Sequence, residues 1–306
     1  MLTAPKELFT TDRTSATCGC SLPADRAARK LPAIAHDDGP GFSDRMCRAV
    51  QTAPSMASPS KLSKGEKAAL LMSLALAGVL LEIAVFWRGI GRARRFAKAG
   101  RRFERRLSAQ RATILILGDS TGVGIGASRP EESIAGLLAA DYPDADIVNV
   151  AVSGTRVADA ITQARRCSEA GLRFDLALLH VGGIDVLADT PLHRLAHDCD
   201  ILMRELGRLA VRTAWLGPPD LGLAPLFPRA YAWVMAARSR AAARVFAAAA
   251  ARHNVVFVDF SAPAHVAFFR KRRRRHFAVD DFHPNSASYK YGYAVARQML
   301  GLHEPG

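Results

Sequence analysis

Cysteine is scarce in this chain, and the few present are badly placed for any framework. Cys18, Cys20, Cys47, Cys167 and Cys199 make an odd count of five in 306 residues. None forms a C-x-x-C pair or a Cys/His block at zinc spacing, which argues against a disulfide scaffold and a structural zinc site and points to a reducing compartment. Acidic residues are also in short supply: 28 Asp and Glu against 42 Lys and Arg leave a formal net charge of +14. Such a balance implies an anionic partner, whether nucleic acid, an anionic membrane or an acidic ligand, and the location of the charge decides among them. No aromatic residues interleave the dense run Arg270-Lys271-Arg272-Arg273-Arg274-Arg275. The run therefore lacks the stacking platforms of a single-strand binder, and nucleic acid is not the expected partner. It reads as a solvated charge run or as a surface for anionic headgroups or an anionic substrate. His193 and His197 are four apart but without the residues of a metalloprotease between them, and His180 reads as a packed strand residue, so no metal is implied. No internal repeat is visible.

Long apolar runs are absent except for one. Ala68 to Trp87 holds a single charge, Glu82. As a helix it is about 30 Å long, the thickness of a bilayer core. A buried core helix and a cleavable signal peptide are the competing readings; a polar tail before the run and a basic stretch after it favour a membrane anchor. Arg88 to Arg111 carries ten cations against Glu104 alone, with Phe96, Phe103 and Leu107 on one helical face. This reads as a basic amphipathic helix on anionic headgroups, with a solvated linker helix as the alternative. Only Lys61, Lys64 and Lys67 flank the other end, so the positive-inside bias puts the C-terminal part in the cytoplasm. Residues 1–60 lack periodicity and read as a disordered tail, and Met56 offers a second plausible start. The expected organisation is a tail over 1–60, anchor and juxtamembrane helices over 61–111, and a globular domain over 112–306.

Within that domain strands and helices alternate. Strands are expected at Ile114–Leu117, Ile147–Val152, Asp175–Val181, Val211–Leu216 and Val255–Phe260. Helices are expected at Glu131–Ala140, Val157–Ala170, Leu192–Leu209, Arg229–Arg252 and Asn285–Leu300. The alternation calls for a parallel sheet with helices on both faces.

Ligands of such sheets sit at the carboxyl ends of the strands. Ser120 follows the first strand within Gly118-Asp119-Ser120, which makes it a candidate nucleophile, although three residues also arise by chance in loops. Gly122-Val-Gly124-Ile-Gly126-Ala127 fits a loose dinucleotide pattern, but its glycines come late and no acid follows the next strand, so that reading is set aside. A serine nucleophile needs a base, and the base an orienting acid. Asp280 and His283 stand three apart before the last helix, a spacing that brings both to one side of a helical or 3₁₀-like turn. A helix-capping acid with a surface histidine is the alternative.

In order along the chain, Gly118-Asp119-Ser120, Asn149-Val-Ala-Val-Ser-Gly154, Gly182-Gly183-Ile184-Asp185 and Asp280-x-x-His283 resemble the four blocks of the GDSL, or SGNH, hydrolases. The resemblance covers roughly residues 112–302. It implies a flavodoxin-like three-layer α/β/α sandwich with a five-stranded parallel sheet, hydrolysis of an ester, thioester or acyl group, and no cofactor. It implies Ser120, His283 and Asp280 as a triad, with the N–H groups of Ser120 and Gly154 in the oxyanion hole. One position departs: the family's asparagine donor is Ile184 here, which cannot donate a hydrogen bond. Losing such a donor costs about 10²–10³ in turnover. A membrane-associated acyl-ester hydrolase acting on a small-molecule or lipid ester is therefore the leading expectation, and an impaired relative that binds an acylated or anionic ligand the second. Oligomeric state is not legible.

Overall fold

The computed structural model describes residues 63–302, so the expected tail lies outside the described residues. Helix α1, Lys64–Ala99, opens with a capping box: Ser63 accepts from the Glu66 N–H while the Glu66 carboxylate accepts from the Ser63 N–H. It runs unbroken through the apolar stretch, whose side chains are exposed as far as Val85, and is long and apolar enough to cross a membrane by length and composition. Its outer face stays exposed to the end, but from Phe86 onward one stripe, Gly89, Ala93, Phe96 and Ala97, turns inward onto the globular domain.

The expected basic helix stops at Ala99. Residues beyond it run as extended chain, with the Arg105 N–H and C=O paired antiparallel to Ile147. The reason is tertiary: the Arg105 guanidinium donates to the carbonyls of Ala139, Tyr142 and Ala145, groups a continuing helix would have carried it past. Phe103 and Leu107 are half-buried by the alternation of this segment rather than by a helical face, and Phe103 packs on the core.

Then come β1 (Ala112–Gly118), α2 (Ser120–Val123), α3 (Ile134–Asp141), β2 (Ala145–Asn149), α4 (Val157–Glu169), β3 (Phe174–His180) and α5 (Gly183–Leu187). They are followed by α6 (Leu192–Leu209), β4 (Ala210–Leu216), α7 (Arg229–Arg252), β5 (Val256–Val258), α8 (Pro263–Lys271) and α9 (Ser286–Leu300). The five strands are all parallel, in the order β2-β1-β3-β4-β5. Alternate strand residues face opposite layers. Leu115, Leu117, Ala177, Leu179 and Trp215 pack against α4, α6 and α7, and Ile114, Ile116, Leu176, Leu178 and Leu216 against α3 and α9. This is the expected three-layer α/β/α sandwich. Helix α8 was not expected. Its first residue, Pro263, begins a helix because a missing N–H costs nothing there. The basic run splits across α8 and a 3₁₀ turn, and Arg273 is no solvated charge: it donates to the carbonyls of Leu223 and Ala224.

Candidate active site

Strand β1 delivers the chain to the sheet's carboxyl edge, and Gly118 turns it. Its φ is +122°, and a Cβ there would lie 1.8 Å from the His180 carbonyl oxygen, so only glycine fits. Ser120 is the first residue of α2. Asp119 caps that short helix, accepting from the Thr121 N–H at 2.9 Å and from its hydroxyl. Two amide side chains fasten this turn. Gln163 of α4 accepts from the Gly118 N–H at 2.8 Å and donates to its carbonyl at 3.1 Å. Asn149, ending β2, donates to the Gly122 carbonyl at 2.9 Å. Sequence reasoning included Asn149 only through its block and missed Gln163, which sits at an ordinary helical position.

The loop before α9 carries Asp280 and His283. Asp280 is fully buried; its Oδ1 accepts from the N–H groups of Phe282 and His283, each at 3.1 Å. Its Oδ2 lies 2.5 Å from His283 Nδ1, and His283 Nε2 lies 3.1 Å from Ser120 Oγ. The expected helical turn is instead a tight loop with Asp281 at φ +61°, closed by Asp280's own hydrogen bonds; Pro284 and Asn285 delay the helix to Ser286. Burial raises the Asp280 pKa, but the hydrogen bonds and charge of His283 and the two backbone donors outweigh it and hold the carboxyl below its ordinary value. A carboxylate at Nδ1 favours the tautomer with its proton there, leaving Nε2 as an acceptor toward Ser120.

Gly154 has φ +89° and open space where a Cβ would be. Among the described residues, no other group takes the N–H of Ser120 or of Gly154. Ile184 lies on α5 and shares the lining of one cavity with Ser120 and His283. Its neighbour Asp185 is buried and accepts from the Val157 N–H at 3.0 Å and the Thr190 hydroxyl at 3.1 Å. The first of these bonds ties α5 to the first turn of α4, just beyond the loop that carries Gly154. The cavity measures about 100 Å³ and is mostly apolar, with Leu216, Phe260, Phe269 and Phe282 in its wall. His180 and Asp119 also reach it. Burial pushes His180 down to about 4, so it is neutral at ordinary pH, and its Nε2 has no hydrogen-bond partner among the described residues. Burial pushes Asp119 up to about 6 despite its bonds to Thr121.

The end of α1 reaches this site, which sequence reasoning also missed. Phe96 packs with Val123, Ile125 and Ala151, Arg92 pairs with Asp281 at 2.9 Å, and the N–H of Leu226, which lies against Gly89, donates to the Asp281 carbonyl at 3.0 Å. The stripe Phe86, Gly89, Ala93, Phe96 at spacings of three and four was its signal, hidden by the surrounding arginines. Among the described residues no group of His, Cys, Asp and Glu could hold a metal ion.

No curated protein matches the chain. Solved structures do. A member of the lipolytic G-D-S-L family from Veillonella parvula is 15% identical, with TM-score 0.50 over 62% of this chain and 99% of its own. TesA is 21% identical, with TM-score 0.49 over 61% and 97%. An acetyl xylan esterase, Axe2 of Geobacillus stearothermophilus, is 20% identical, with TM-score 0.49 over 64% and 97%. The GDSL-like lipase/acylhydrolase family matches residues 116–291, more than half of the sequence, and the chain belongs to that family.

Proposed function

We propose that the protein is a serine acyl-ester hydrolase. The carrying observation is the continuous relay Asp280 Oδ2, His283 Nδ1, His283 Nε2 and Ser120 Oγ, at 2.5 and 3.1 Å. Ser120 Oγ attacks the ester carbonyl while Nε2 takes its proton, Asp280 holding the imidazole in the required tautomer. The N–H groups of Ser120 and Gly154 receive the charge that develops on the carbonyl oxygen. His283 then returns the proton to the leaving alcohol, and water repeats the sequence on the acyl-enzyme. The cavity beside Ser120, about 100 Å³, is smaller than the ~150 Å³ that admits benzene, which supports a short acyl group rather than a fatty chain.

The long helix α1 anchors this domain in a membrane, with the domain on the cytoplasmic side; the exposed apolar surface of Leu70 to Val85 and the cations that follow support this. Partners are then a small or amphiphilic ester and an anionic membrane surface. Ile184 favours a second reading, a relative that binds an acylated ligand without turning it over, because the isoleucine itself offers the cavity no side-chain donor. A fluorophosphonate separates the two. It should label the wild-type protein and not Ser120→Ala, and the wild type alone should cleave short aryl esters. Equal ester cleavage by both would remove Ser120 from the chemistry.

A further inference from the structure

Helix α1 is both the apolar segment and a wall of the site, and this fixes how far the site stands from the segment. The helix is fastened to the domain rung by rung along one face. The Phe86 ring lies 5.7 Å from that of Tyr231 and 6.0 Å from that of Phe227. Gly89 lies so close to Leu226 that a Cβ would come within 2.3 Å of its Cδ1. Arg92 pairs with Asp281 at 2.9 Å, and the Phe96 ring lies 6.4 Å from the His283 imidazole. No proline interrupts the helix between Lys64 and Ala99, and its hydrogen-bonded run is continuous. The apolar face ends at Trp87, which is 62% exposed, and Arg88 follows.

The helix therefore acts as a ruler. From Trp87 to Phe96 is nine residues, or about 13 Å along the axis. The head-group layer outside the hydrocarbon core is only about 5–8 Å thick on each side. With Trp87 at the hydrocarbon edge and the helix along the bilayer normal, Phe96 stands beyond the headgroups, its ring 6.4 Å from the imidazole of His283, which lies 3.1 Å from Ser120 Oγ. The glycerol esters of bilayer lipids lie at the inner edge of that layer, too deep to reach the serine. The cavity beside Ser120, about 100 Å³, also favours a short acyl group over a fatty chain.

We propose that the substrate is a short-chain acyl ester carried on the water-facing part of a membrane-anchored amphiphile, about 13 Å from the hydrocarbon edge, and not a glycerol ester of the bilayer lipids. The proposal rests on the hydrolase and anchor readings above.

The test uses the full chain reconstituted into phosphatidylcholine vesicles containing phosphatidylglycerol. The probes are lipids bearing a fluorogenic acetyl ester at the end of ethylene-glycol spacers of graded length, with the same ester in soluble form as reference. Cleavage should peak for the spacer reaching about 13 Å and exceed that of the spacer-free lipid by about tenfold or more. A polar helical insert of about two turns between Val85 and Phe86 keeps the docking face and should move the peak outward by roughly 10 Å. Cleavage of the spacer-free lipid as fast as the spaced ones overturns the proposal on wild-type protein alone, as does a peak that the insert leaves in place. The underlying readings are checked separately: soluble-ester cleavage independent of Ser120 would sink the hydrolase reading, and release from vesicles by carbonate the anchor.

Discussion

The ring of Phe96 lies 6.4 Å from the imidazole of His283, the two planes tilted by 44°. Phe282 closes the imidazole from another side at 4.9 Å, nearly perpendicular. One of these rings adjoins the histidine in sequence. The other arrives on a helix that the family match, residues 116–291, does not include. In the proposed mechanism this places a positioning group for the base outside the family domain.

Phe96→Ala should lower kcat about tenfold while KM changes less than about twofold, because the ring orients His283 and does not bind ester. Phe96→Leu should recover most of the loss by refilling the space. Steady-state kinetics on one soluble ester read both variants, and an alanine variant with unchanged kcat would show that the ring only packs. Arg92→Gln should matter little to stability, since its pair with Asp281 is about half exposed and such pairs contribute about 0–1 kcal/mol.

Asp280→Asn should reduce kcat by up to about 10⁴ with the fold retained, because an amide favours the wrong imidazole tautomer. The rate of fluorophosphonate labelling of Ser120 should fall alongside it. Undiminished labelling would assign Asp280 to closing its loop through the Phe282 and His283 N–H groups and nothing more.

Ile184→Asn places a side-chain donor at the position that the block resemblance implies for the family's oxyanion asparagine. An interaction that strengthens only as charge develops raises turnover rather than substrate binding. The ceiling is about 3–4 kcal/mol, and imperfect placement in a space shaped for isoleucine reduces it, so the expected gain in kcat is about tenfold with little change in KM. A folded variant no faster than wild type would mean that Ile184 does not face the reacting oxygen.

A chain beginning at Ala112 should be less stable than one beginning at Val85. It loses the cover that Phe96 and Ala97 place on Val123, Ile125 and Ala151, the rings at Phe86, and the Arg105 guanidinium on its carbonyls. Several half-buried apolar groups and those hydrogen bonds amount to a few kcal/mol, or about 5 °C or more in melting temperature. Differential scanning calorimetry of the two chains decides it; equal melting temperatures would make the docked end of α1 an ornament to stability.

Asp119 and His180 should impose opposite pH dependences. The folded Asp119 carboxyl titrates at about 6 against 3.8 in its ordinary state, so the folded protein holds a proton there that the unfolded chain has lost. Its contribution is fully present below the unfolded value and declines as pH rises toward 6, to a cost of about 3 kcal/mol at neutral pH. His180, down to about 4 from 6.5, runs the other way: stability falls as pH drops through that window because the unfolded chain takes the proton first. Asp119→Asn should therefore gain on wild type progressively between about pH 4 and pH 7 in urea unfolding, and a pH-independent difference would refute the assignment.

The alternation of apolar runs with helical periodicity was enough to read the three-layer sandwich, because burial on both sides of a parallel sheet leaves its mark in every strand. The blocks at strand ends placed Ser120, Gly154, Ile184 and the Asp280/His283 pair in order, because each is a local departure from strand or helix composition. Contacts between elements far apart in the chain leave no such mark. Arg105 looked like one more cation in a basic helix, and only its fit to three carbonyl groups around β2 shows why the helix ends before it. Nothing in the sequence marks Gln163 on α4, yet it holds both backbone groups of Gly118. Asp280 and His283 were legible as neighbours, but the 3.1 Å from His283 to Ser120 spans 163 residues and follows from sheet order and the packing of α9. The apolar run of α1 was readable from hydropathy, a property of each residue alone. That its far end covers the imidazole depends on the shape of the surface it meets, and that surface exists only once the sheet has formed.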